Sequence, residues 1–412
     1  MKAVGIIAEY NPFHNGHKYH IEESRKLTGA DCVVSVMSGN FVQRGAPAFA
    51  DKFTRTECAL SSGADLVIEL PAIYATGSAE LFASGAVSLL DGIGGISHVS
   101  FGSECKDMHI LKKISDILAF ESEEFCGLLK EKLATGIGMP SARQAALDVI
   151  ANSPEISQAV VSPNNILAIE YLKALKRIGS AIQPVNITRK DNSYHDRALT
   201  GSISSATSVR EHIENGSMDS VRSALPDESF LILRDLYQKS FPVNANDCSS
   251  ILNYAITDKF NILSGFSDVG ESLANKIRSE FKSGNNIYNF DNMAMSLKSR
   301  DLTYTRICRA LIHILLGIDT EFMETVKYDN FPSYARILGF NKTGREFLSS
   351  AKSKSNIPII SNCSDDYNML DDIRKKIFEY DIKATRIYNN IVYSRYKTQL
   401  KDDFRSRPLI HM

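Results

Sequence analysis

The first candidate site is the sequence His-Asn-Gly-His, which places the imidazoles of His14 and His17 three residues apart near the start of the chain. An apolar run precedes it and a segment with helical periodicity follows it, so we expect it to begin a helix. A helix N-terminus attracts phosphate through its backbone N–H groups and partial positive charge. Both imidazoles could donate hydrogen bonds as charge builds on a pentavalent phosphorus and a leaving pyrophosphate. We therefore predict catalytic roles for His14 and His17 at the α-phosphate of ATP.

Two other interpretations of this motif are possible. The histidines could be unrelated surface residues, or they could form a metal pair. Metal binding is poorly supported, because no carboxylate or cysteine cluster with the spacing of metal ligands accompanies them. We therefore predict no metal held by the protein itself. Gly16 favours the phosphate interpretation, because glycine lets a ligand approach the backbone closely.

A second candidate site is the sequence Ser-Ala-Thr-Ser-Val-Arg at residues 205–210. The hydroxyls of Ser205 and Thr207 and the guanidinium of Arg210 suit phosphate oxygens, and we expect them at the start of another helix. The alternative is an ordinary N-cap, since serine and threonine are preferred capping residues. Because the first motif is also present, we assign this one to the β- and γ-phosphates.

The elements around these motifs alternate between strand and helix. Short apolar runs predict strands at residues 3–9, 32–37, 66–70, 96–101 and 182–188. Helical patterns fall between them at residues 18–28, 55–62, 79–90 and 165–177. Such alternation predicts parallel strands with helices on both faces of the sheet. Ligands bind these sheets at the carboxyl ends of the strands, where residues 10–16, 38–44 and 102–104 are expected to gather.

The alternation stops in the second half of the chain. We place a boundary near residues 216–227, which divides the chain into an ATP-binding domain at 1–216 and a mainly helical region at 217–412. In the later region no strand pattern is clear until residues 357–360, and residues 302–317 predict an amphipathic helix. The predicted fold class is α/β, with a Rossmann-like parallel-sheet domain followed by a mainly α-helical C-terminal region.

Composition excludes several classes of protein. The net charge of -1 over 412 residues argues against an overall basic surface for nucleic acid, so any such site must be a local patch. The seven cysteines are scattered without a CxxC pair, which is typical of reduced thiols in a cytosolic protein. No signal peptide and no apolar run long enough for a membrane span is evident. We expect a cytoplasmic protein, and no protein partner is predicted.

The motifs together resemble a known superfamily. A strand, HxGH and a late SSTxIR-like element resemble the HIGH-type nucleotidyltransferases, although Ala206 stands where that element usually has serine. Longer matches resemble the bacterial tRNA(Met) cytidine acetate ligase family more specifically. They lie at residues 9–17, 37–45, 65–71, 101–104 and 163–167. The resemblance runs over nearly the full length, with specific motifs before residue 216 and diffuse similarity after it.

This resemblance implies a ligase that works in two steps. Acetate attacks the α-phosphate of ATP to give acetyl-adenylate and pyrophosphate. The N4 amine of the wobble cytidine of elongator tRNA(Met) then takes the acetyl group and releases AMP, leaving N4-acetylcytidine. The implied ligands are ATP, acetate and this tRNA, with Mg²⁺ bound through the triphosphate rather than by a protein cage. The region at 217–412 is then expected to bind tRNA.

Two other functions fit part of the pattern. A simple adenylyltransferase that joins AMP to a phosphorylated small molecule suits HxGH equally well. It does not account for the long region that follows the second motif. A non-catalytic protein that binds tRNA or the ribosome could retain an inherited nucleotide pocket. The intact His14, His17 and Arg210 argue against that alternative.

The resemblance also implies a set of ATP-binding residues. Beyond Ser205, Thr207 and Arg210, the set comprises Ile7, Ala8, Glu9, Tyr10, Asn11, Pro12, Phe13, His14, Asn15, Gly16, His17, Lys18, Tyr19, His20, Gly102, Asn164, Arg189 and Lys190. Physical reasoning agrees in part, because Gly102 follows a strand at the ligand edge. Arg189 and Lys190 also follow a strand and can meet phosphate. The alternative for Asn164 is a helix N-cap before Ile166.

Basic and aromatic residues supply candidates for tRNA contact. Arg44, Lys52 and Arg55 follow the second predicted strand and could touch phosphate or tRNA, or simply form a solvated basic face. In the later region the candidates are Arg300, Arg306, Arg309, Arg386, Arg395 and Lys397, with Tyr304, Tyr388 and Tyr393 for stacking on bases. Helical periodicity indicates that several of these tyrosines belong to the core. Tyr194, His195 and Asp196 could orient the nucleotide or the incoming base.

Overall fold

A computed structural model describes residues 1–160, 162–188, 205–284, 288–300 and 302–412. The strands are β1 (Ala3–Ala8), β2 (Cys32–Ser38), β3 (Phe41–Val42), β4 (Ala46–Pro47), β5 (Leu66–Leu70), β6 (Ile96–Ser103), β7 (Gln183–Thr188), β8 (Ala335–Phe340), β9 (Ile359–Ile360) and β10 (Leu409–Ile410). The helices of the first part are α1 (Asn15–Thr28), α2 (Lys52–Ser61), α3 (Ala72–Ala75), α4 (Ala79–Ile93), α5 (Met108–Ala119), α6 (Glu123–Ala134), α7 (Met139–Ala151), α8 (Pro154–Ala159), α9 (Pro163–Arg177) and α10 (Ala206–Asn215). The later helices are α11 (Asp227–Leu236), α12 (Ser249–Asp258), α13 (Glu271–Ser283), α14 (Phe290–Ser296), α15 (Tyr304–Leu316), α16 (Thr320–Tyr328), α17 (Lys342–Ala351), α18 (Cys363–Asp366) and α19 (Asp372–Tyr396).

One main sheet organises the chain. Its strand order is β10-β8-β5-β2-β1-β6-β7, and β9 pairs with β8 beside this path. Strands β5, β2, β1, β6 and β7 run parallel, as the alternation of strand and helix predicts. Every residue of β2 and β5 is buried, which is typical of parallel strands covered by helices on both faces. The prediction of an α/β fold with a parallel sheet is confirmed.

The later part of the chain returns to this sheet, which the sequence pattern does not predict. Strand β8 pairs antiparallel with β5, and β10 and β9 pair parallel with β8. Only the short strand β9 falls within the predicted run at 357–360. Strand β8 is a lone apolar run far from other strand signals, so the surrounding sequence does not indicate which strand it pairs with. The sheet therefore draws strands from both sides of the proposed division at residues 216–227, which stays a prediction.

Two helices begin earlier than their apolar periodicity indicates, because capping residues start them. Helix α1 begins at Asn15, with His14 as its N-cap, rather than at residue 18. Helix α2 begins at Lys52, where the Asp51 carboxylate accepts hydrogen bonds from the backbone of Phe53 and Thr54. The earlier start of α1 places the whole HxGH sequence at a helix N-terminus.

The amphipathic helix predicted at residues 302–317 is α15. The Thr303 side chain caps its start, and Gly317 ends it with a φ of 74°. Its apolar face, which includes Ile307, Leu311 and Ile314, is buried in the core. Among the described residues, no helix combines the length and apolarity needed to cross a membrane.

Candidate functional site

A cavity of about 430 Å³ opens at the carboxyl ends of β1 and β6. Strands β1 and β6 are adjacent and parallel, so their carboxyl ends lie side by side. Helices α1, α4, α9 and α10 contribute the remaining walls together with β7 and the turn between β3 and β4. The cavity therefore lies where ligands bind parallel α/β sheets, and both sequence motifs line it.

The two histidines of the first motif are held by the start of α1. The backbone N–H of Gly16 donates to Nδ1 of His14 at 3.0 Å, and the backbone N–H of His14 donates to Nδ1 of His17 at 3.2 Å. The rings stack with centroids 3.7 Å apart. Because each Nδ1 accepts a hydrogen bond, the neutral rings carry their protons on Nε2. Both imidazoles thus have the tautomer needed to donate from Nε2 to a phosphate oxygen.

Buried aromatic rings support His17 from the protein side. Tyr10 meets the His17 ring edge-on at 5.0 Å, and Phe13 lies 5.4 Å from it. The Tyr10 hydroxyl shares a hydrogen bond with the Ser35 hydroxyl at 2.9 Å, and burial raises the pKa of Tyr10 to about 12. Tyr10 also has a φ of 47°, a backbone conformation that non-glycine residues adopt only when their surroundings enforce it. The loop between β1 and α1 is therefore tightly determined.

The second motif contacts the first through Arg210. Its guanidinium donates to the backbone carbonyl of Asn11 at 2.7 Å and to the Thr207 hydroxyl at 3.1 Å. Ser205 caps α10 by accepting from the backbone N–H of Ser208, so the capping interpretation is correct, and Ser205 also lines the cavity. Burial, followed by the nearby charge of Arg44, lowers the pKa of Arg210. Two cations thus face one cavity, an arrangement that favours an anionic ligand.

A second part of the lining is apolar. It contains Ile7, Phe82, Phe101, Ile166, Leu167, Tyr171 and Ile187. The rings of Phe101 and Tyr171 lie 5.9 Å apart. Burial, together with the charge of Glu9, raises the pKa of Tyr171, so its hydroxyl stays neutral at ordinary pH. An apolar wall beside a cationic helix terminus suits a ligand that joins a flat ring system to phosphates.

The loop after β6 is organised by two asparagines. Asn164 lines the cavity and donates to the Glu104 carboxylate at 2.5 Å. The alternative role of N-cap is wrong for Asn164, because Ser162 occupies the N-cap position of α9. The sequence interpretation missed Asn165, whose buried amide oxygen accepts from the backbone N–H groups of Glu104 and Cys105, each at 3.0 Å. Nothing in the sequence distinguished this asparagine from its neighbour.

The predicted ATP-binding residues divide into three groups. Those that line the cavity are Ile7, Ala8, Glu9, His14, Gly16, His17, Tyr19, His20, Gly102, Asn164, Ser205, Thr207 and Arg210. Tyr10, Asn11, Pro12 and Phe13 are buried behind it, Asn15 donates to the Ser223 carbonyl, and Lys18 lies at two other surface hollows. Arg189 and Lys190, like Tyr194, His195 and Asp196, lie outside the described residues. ATP contact for all of them stays a prediction.

Two of the cations assigned to phosphate or tRNA contact are buried instead, which corrects that prediction. Lys52 and Arg55 are each only 1% exposed. Lys52 pairs with Glu69 and Asp403, and Arg55 donates to backbone carbonyls. Neither side chain can reach a tRNA or form a solvated face. The third residue of that group, Arg44, is exposed and lines the cavity.

The cations of the later region have mixed surroundings. Arg306 and Arg300 are exposed, whereas Arg309, Arg386 and Arg395 form ion pairs with Asp268, Asp402 and Asp247. Lys397 donates to the Ser394 carbonyl and lies over the exposed ring of Tyr393. Tyr304 donates to Asp291. Tyr388 is a core residue whose hydroxyl donates to the Ala48 carbonyl, so stacking on a base is excluded for it. tRNA contact by the others stays a prediction.

The turn between β3 and β4 supplies two residues that extend the site. Gln43 and Arg44 line the cavity, as expected for the range 38–44 at the ligand edge, although Gln43 was not assigned a binding role from the sequence. Two-residue strands give no periodic signal, so this hairpin was not foreseen. Within the described ranges, no group of three or more histidine, cysteine, aspartate or glutamate side chains is arranged to hold a metal ion.

Sequence comparisons identify relatives over nearly the whole chain. The profile of the HIGH Nucleotidyl Transferase family matches residues 1–403. A protein of Thermoanaerobacter sp. (strain X514) named tRNA(Met) cytidine acetate ligase is 44% identical over 389 residues, which cover 94% of this chain and 95% of that protein. A protein of the same name from Acetivibrio thermocellus is 43% identical over 395 residues and covers 94% of each chain.

Solved structures give the same result. The crystal structure of Thermotoga maritima TmcAL without ligand (form I) superposes with a TM-score of 0.93 at 33% sequence identity. The structure of the same protein bound with α-thio ATP (form II) gives a TM-score of 0.90 at 32% identity. Each superposition covers 100% of this chain and 99% of the other.

Proposed function

The chain belongs to the tRNA(Met) cytidine acetate ligase family of HIGH nucleotidyl transferases, and from this premise we propose that it activates acetate with ATP and acetylates a cytidine of tRNA(Met). One observation carries the proposal. The imidazoles of His14 and His17 share a cavity with Arg210 at the carboxyl edge of a parallel sheet. This combination of a helix N-terminus, imidazole N–H donors and a buried cation is suited to the triphosphate of ATP.

In the first step, the triphosphate binds at the N-termini of α1 and α10. One carboxylate oxygen of acetate forms a bond to the α-phosphorus, and the bond between that phosphorus and the β-phosphate oxygen breaks. Pyrophosphate leaves with the bonding electrons, and acetyl-adenylate remains. His14 and His17 donate from Nε2 to oxygens that gain negative charge, and Arg210 neutralises charge on the phosphates. Mg²⁺ bound through the triphosphate would supply further neutralisation of its negative charge.

In the second step, the cytidine N4 amine attacks the acetyl carbon of the acetyl-adenylate. The bond from that carbon to the phosphate oxygen breaks, AMP leaves, and N4 loses one proton. The N4 lone pair is delocalised into the cytosine ring, so the amine is a poor nucleophile and needs an acyl donor with a good leaving group. An anticodon base is already unpaired, so little free energy is spent in exposing it.

The same cavity must admit the tRNA base from its open side. Arg44 is exposed at the cavity wall and can contact the tRNA backbone there. Arg306 is a second exposed cation on α15, the helix that packs against the turn carrying Arg44. Contacts of this kind lower the free energy of binding through counterion release and therefore weaken as salt increases.

The test is nucleoside mass spectrometry on bulk bacterial tRNA incubated with the protein, Mg²⁺, ATP and isotopically labelled acetate. We expect labelled N4-acetylcytidine that disappears when ATP is omitted. If the protein binds ATP but no labelled nucleoside forms, the tRNA assignment fails and a small-molecule adenylyltransferase becomes the better interpretation. If labelled nucleoside forms without ATP, activation through an adenylate fails.

A further inference from the structure

Helix α2 buries two cations one turn apart, and their partners differ. Lys52 meets the carboxylates of Glu69 and Asp403 at 2.9 and 3.0 Å. Arg55, only 1% exposed, has no carboxylate within ion-pair distance among the described residues and donates to backbone carbonyls instead. Lys52 therefore takes part in charge compensation. Arg55 therefore has a role other than charge compensation.

The Arg55 guanidinium joins three separate backbone segments. Its Nε donates to the carbonyl of Ala50 at 2.8 Å. One terminal nitrogen donates to the carbonyl of Glu9 at 2.6 Å and to that of Ser38 at 3.0 Å, and the other donates to that of Gly39. Glu9 directly follows β1 and Ser38 ends β2. The planar fork of five N–H donors thus holds the carboxyl ends of two adjacent strands in fixed register.

These two strand ends determine where the hairpin of residues 41–47 lies. The Glu9 carboxylate accepts from the backbone N–H of Gln43 at 2.9 Å, which ties the end of β1 to the hairpin. The hairpin follows β2 directly and carries Gln43 and Arg44 to the cavity wall. Its far side packs against α15 at Gly45, where an added Cβ would lie 2.3 Å from the backbone nitrogen of Arg309. Arg55 therefore holds the residues that flank the hairpin, Gly39 and Ala50, and α15 packs against its outer side.

We propose that Arg55 is a positioning residue for the acetyl-transfer reaction, acting through Glu9 and the hairpin of residues 41–47. This inference rests on the proposed function. Of the backbone groups bonded by Arg55, the Glu9 carbonyl alone belongs to the predicted ATP-binding set, and none lies in α1 or α10, the helices assigned to the triphosphate. The hairpin carries the exposed Arg44, which the proposed function assigns to the tRNA backbone. Arg55 therefore governs turnover of tRNA more than affinity for ATP.

The primary test is the variant Arg55→Lys, which keeps a positive charge but loses the planar fork. We expect kcat for tRNA acetylation to fall at least about tenfold, because displacement of reacting groups by about 1 Å lowers the rate of a reaction strongly. The KM for ATP should stay within about twofold of the wild-type value. The matched control is Arg25→Lys. Arg25 also donates to two backbone carbonyls, those of Asp31 and Gly63, but it lies outside the cavity lining. The variant Arg25→Lys should leave kcat and the KM for ATP within about twofold of the wild-type values.

A double-mutant cycle with Arg44→Ala separates positioning from a general structural role. If Arg55 acts through the hairpin, Arg55→Lys should cost less than about threefold when Arg44 is already absent, because the two changes remove the same contribution. Multiplicative effects would overturn the proposal, as would an equal loss of ATP affinity and turnover in Arg55→Lys. A wild-type protein that fails to acetylate tRNA would overturn the proposed function instead.

A second variant keeps the proposal testable if Arg55→Lys does not fold. Gly45→Ala places a methyl group against the α15 backbone and forces a side chain into a φ of 76°, so it displaces the hairpin without touching Arg55. We expect the same pattern of lower kcat with an ATP KM within about twofold of wild type. Unchanged kcat in a folded Gly45→Ala protein would show that hairpin position does not matter, and would overturn the inference.

Discussion

The main sheet uses buried charge in two different ways at two places. Beside β5 and β8, Lys52 and Arg336 meet Glu69 and Asp403 in a closed group of four, with nitrogen–oxygen distances of 2.8 to 3.0 Å. All four side chains are at most 3% exposed. Two positive and two negative charges compensate each other there. The group therefore has no net charge that could attract a ligand.

At the cavity, by contrast, the hydrogen bonds of a buried guanidinium go to neutral groups. Arg210 donates to a backbone carbonyl and a hydroxyl, and the charge of Arg44 lowers its pKa further after burial. The helix N-termini of α1 and α10 add partial positive charge. Among the described residues that line this cavity, Glu9 alone offers a carboxylate. Paired opposite charges thus join the elements beside β5 and β8, whereas the described lining of the cavity contains more cations than carboxylates, an arrangement that suits an anionic ligand.

The largest expected effect comes from breaking the compensated group with Asp403→Asn. Burial alone would raise the pKa of Asp403, but Arg336 and Lys52 hold it well below its ordinary value. Removing this charge leaves two buried cations with one carboxylate. We expect a loss of about 3–5 kcal/mol in the free energy of unfolding, a large part of the roughly 5–15 kcal/mol typical of a protein. Urea titration followed by circular dichroism would measure it.

The neighbouring residue provides the control for this prediction. Asp402 pairs with Arg386 at the surface, with side-chain exposures of 29% and 60%. Asp402→Asn keeps a side-chain acceptor for the backbone of Phe404 and should cost at most about 1 kcal/mol. Similar losses for the two variants would contradict the idea that the buried group depends on charge compensation.

The next effect concerns the cavity, where His17→Gln should abolish most activity without affecting the fold. A glutamine at this third helical position can still accept from the backbone N–H of His14, as in a capping box, but it lacks the imidazole. Loss of one donor to a developing charge lowers kcat by about 100- to 1000-fold in comparable sites. Steady-state acetylation assays would give kcat, and thermal unfolding would verify the fold.

Two further variants sharpen the test of His17. His17→Ala loses both the imidazole and the cap, so it should lose the same activity and also about 1 kcal/mol of stability. His109→Ala removes an exposed imidazole at the start of α5 and should change neither quantity. Activity of His17→Gln within tenfold of wild type would refute the assignment of His17 to the developing charge.

The cavity region was largely predictable from the sequence because its signals are local. Strands β1, β2 and β5 are mostly apolar runs, and these strands and β6 each end within a few residues of their predicted positions. A glycine-containing turn and hydroxyl caps mark the starts of α1 and α10 in the same local way. Motif residues and their helix termini lie within a few positions of each other in the chain. Signals in the neighbouring sequence are therefore enough to predict where these residues lie in the fold.

The compensated group could not be predicted for the opposite reason. Lys52 looks like a solvated cation because one of its neutralising partners, Asp403, lies 351 residues away in the chain. Strand β8 carries Arg336, and its place beside β5 depends on the same remote charges. Burial of a charged residue is decided by long-range pairing, and a single sequence contains no local trace of that pairing.

The smallest expected effect concerns Asp381, a buried carboxyl beside the compensated group. It accepts from the backbone N–H of Ala72 at 2.6 Å and from the Tyr334 hydroxyl at 2.5 Å. Burial and the charge of Glu69 raise the pKa of Asp381 to about 7. The unfolded chain loses this proton near pH 4, so the folded state binds more protons between about pH 4 and 7. Stability should therefore decrease as the pH rises through this window.

The variant Asp381→Asn isolates this contribution, because asparagine cannot titrate and retains an acceptor for Ala72. One linked proton changes the free energy of unfolding by at most about 1.4 kcal/mol per pH unit. Between pH 5 and 6.5, wild type should therefore lose up to about 2 kcal/mol more than the variant, as measured by urea unfolding at both pH values. Equal pH dependence in the two proteins would mean that Asp381 is ionised throughout the window. The buried charges beside β5 would then be three carboxylates and two cations, and the idea that they compensate each other fully would be wrong.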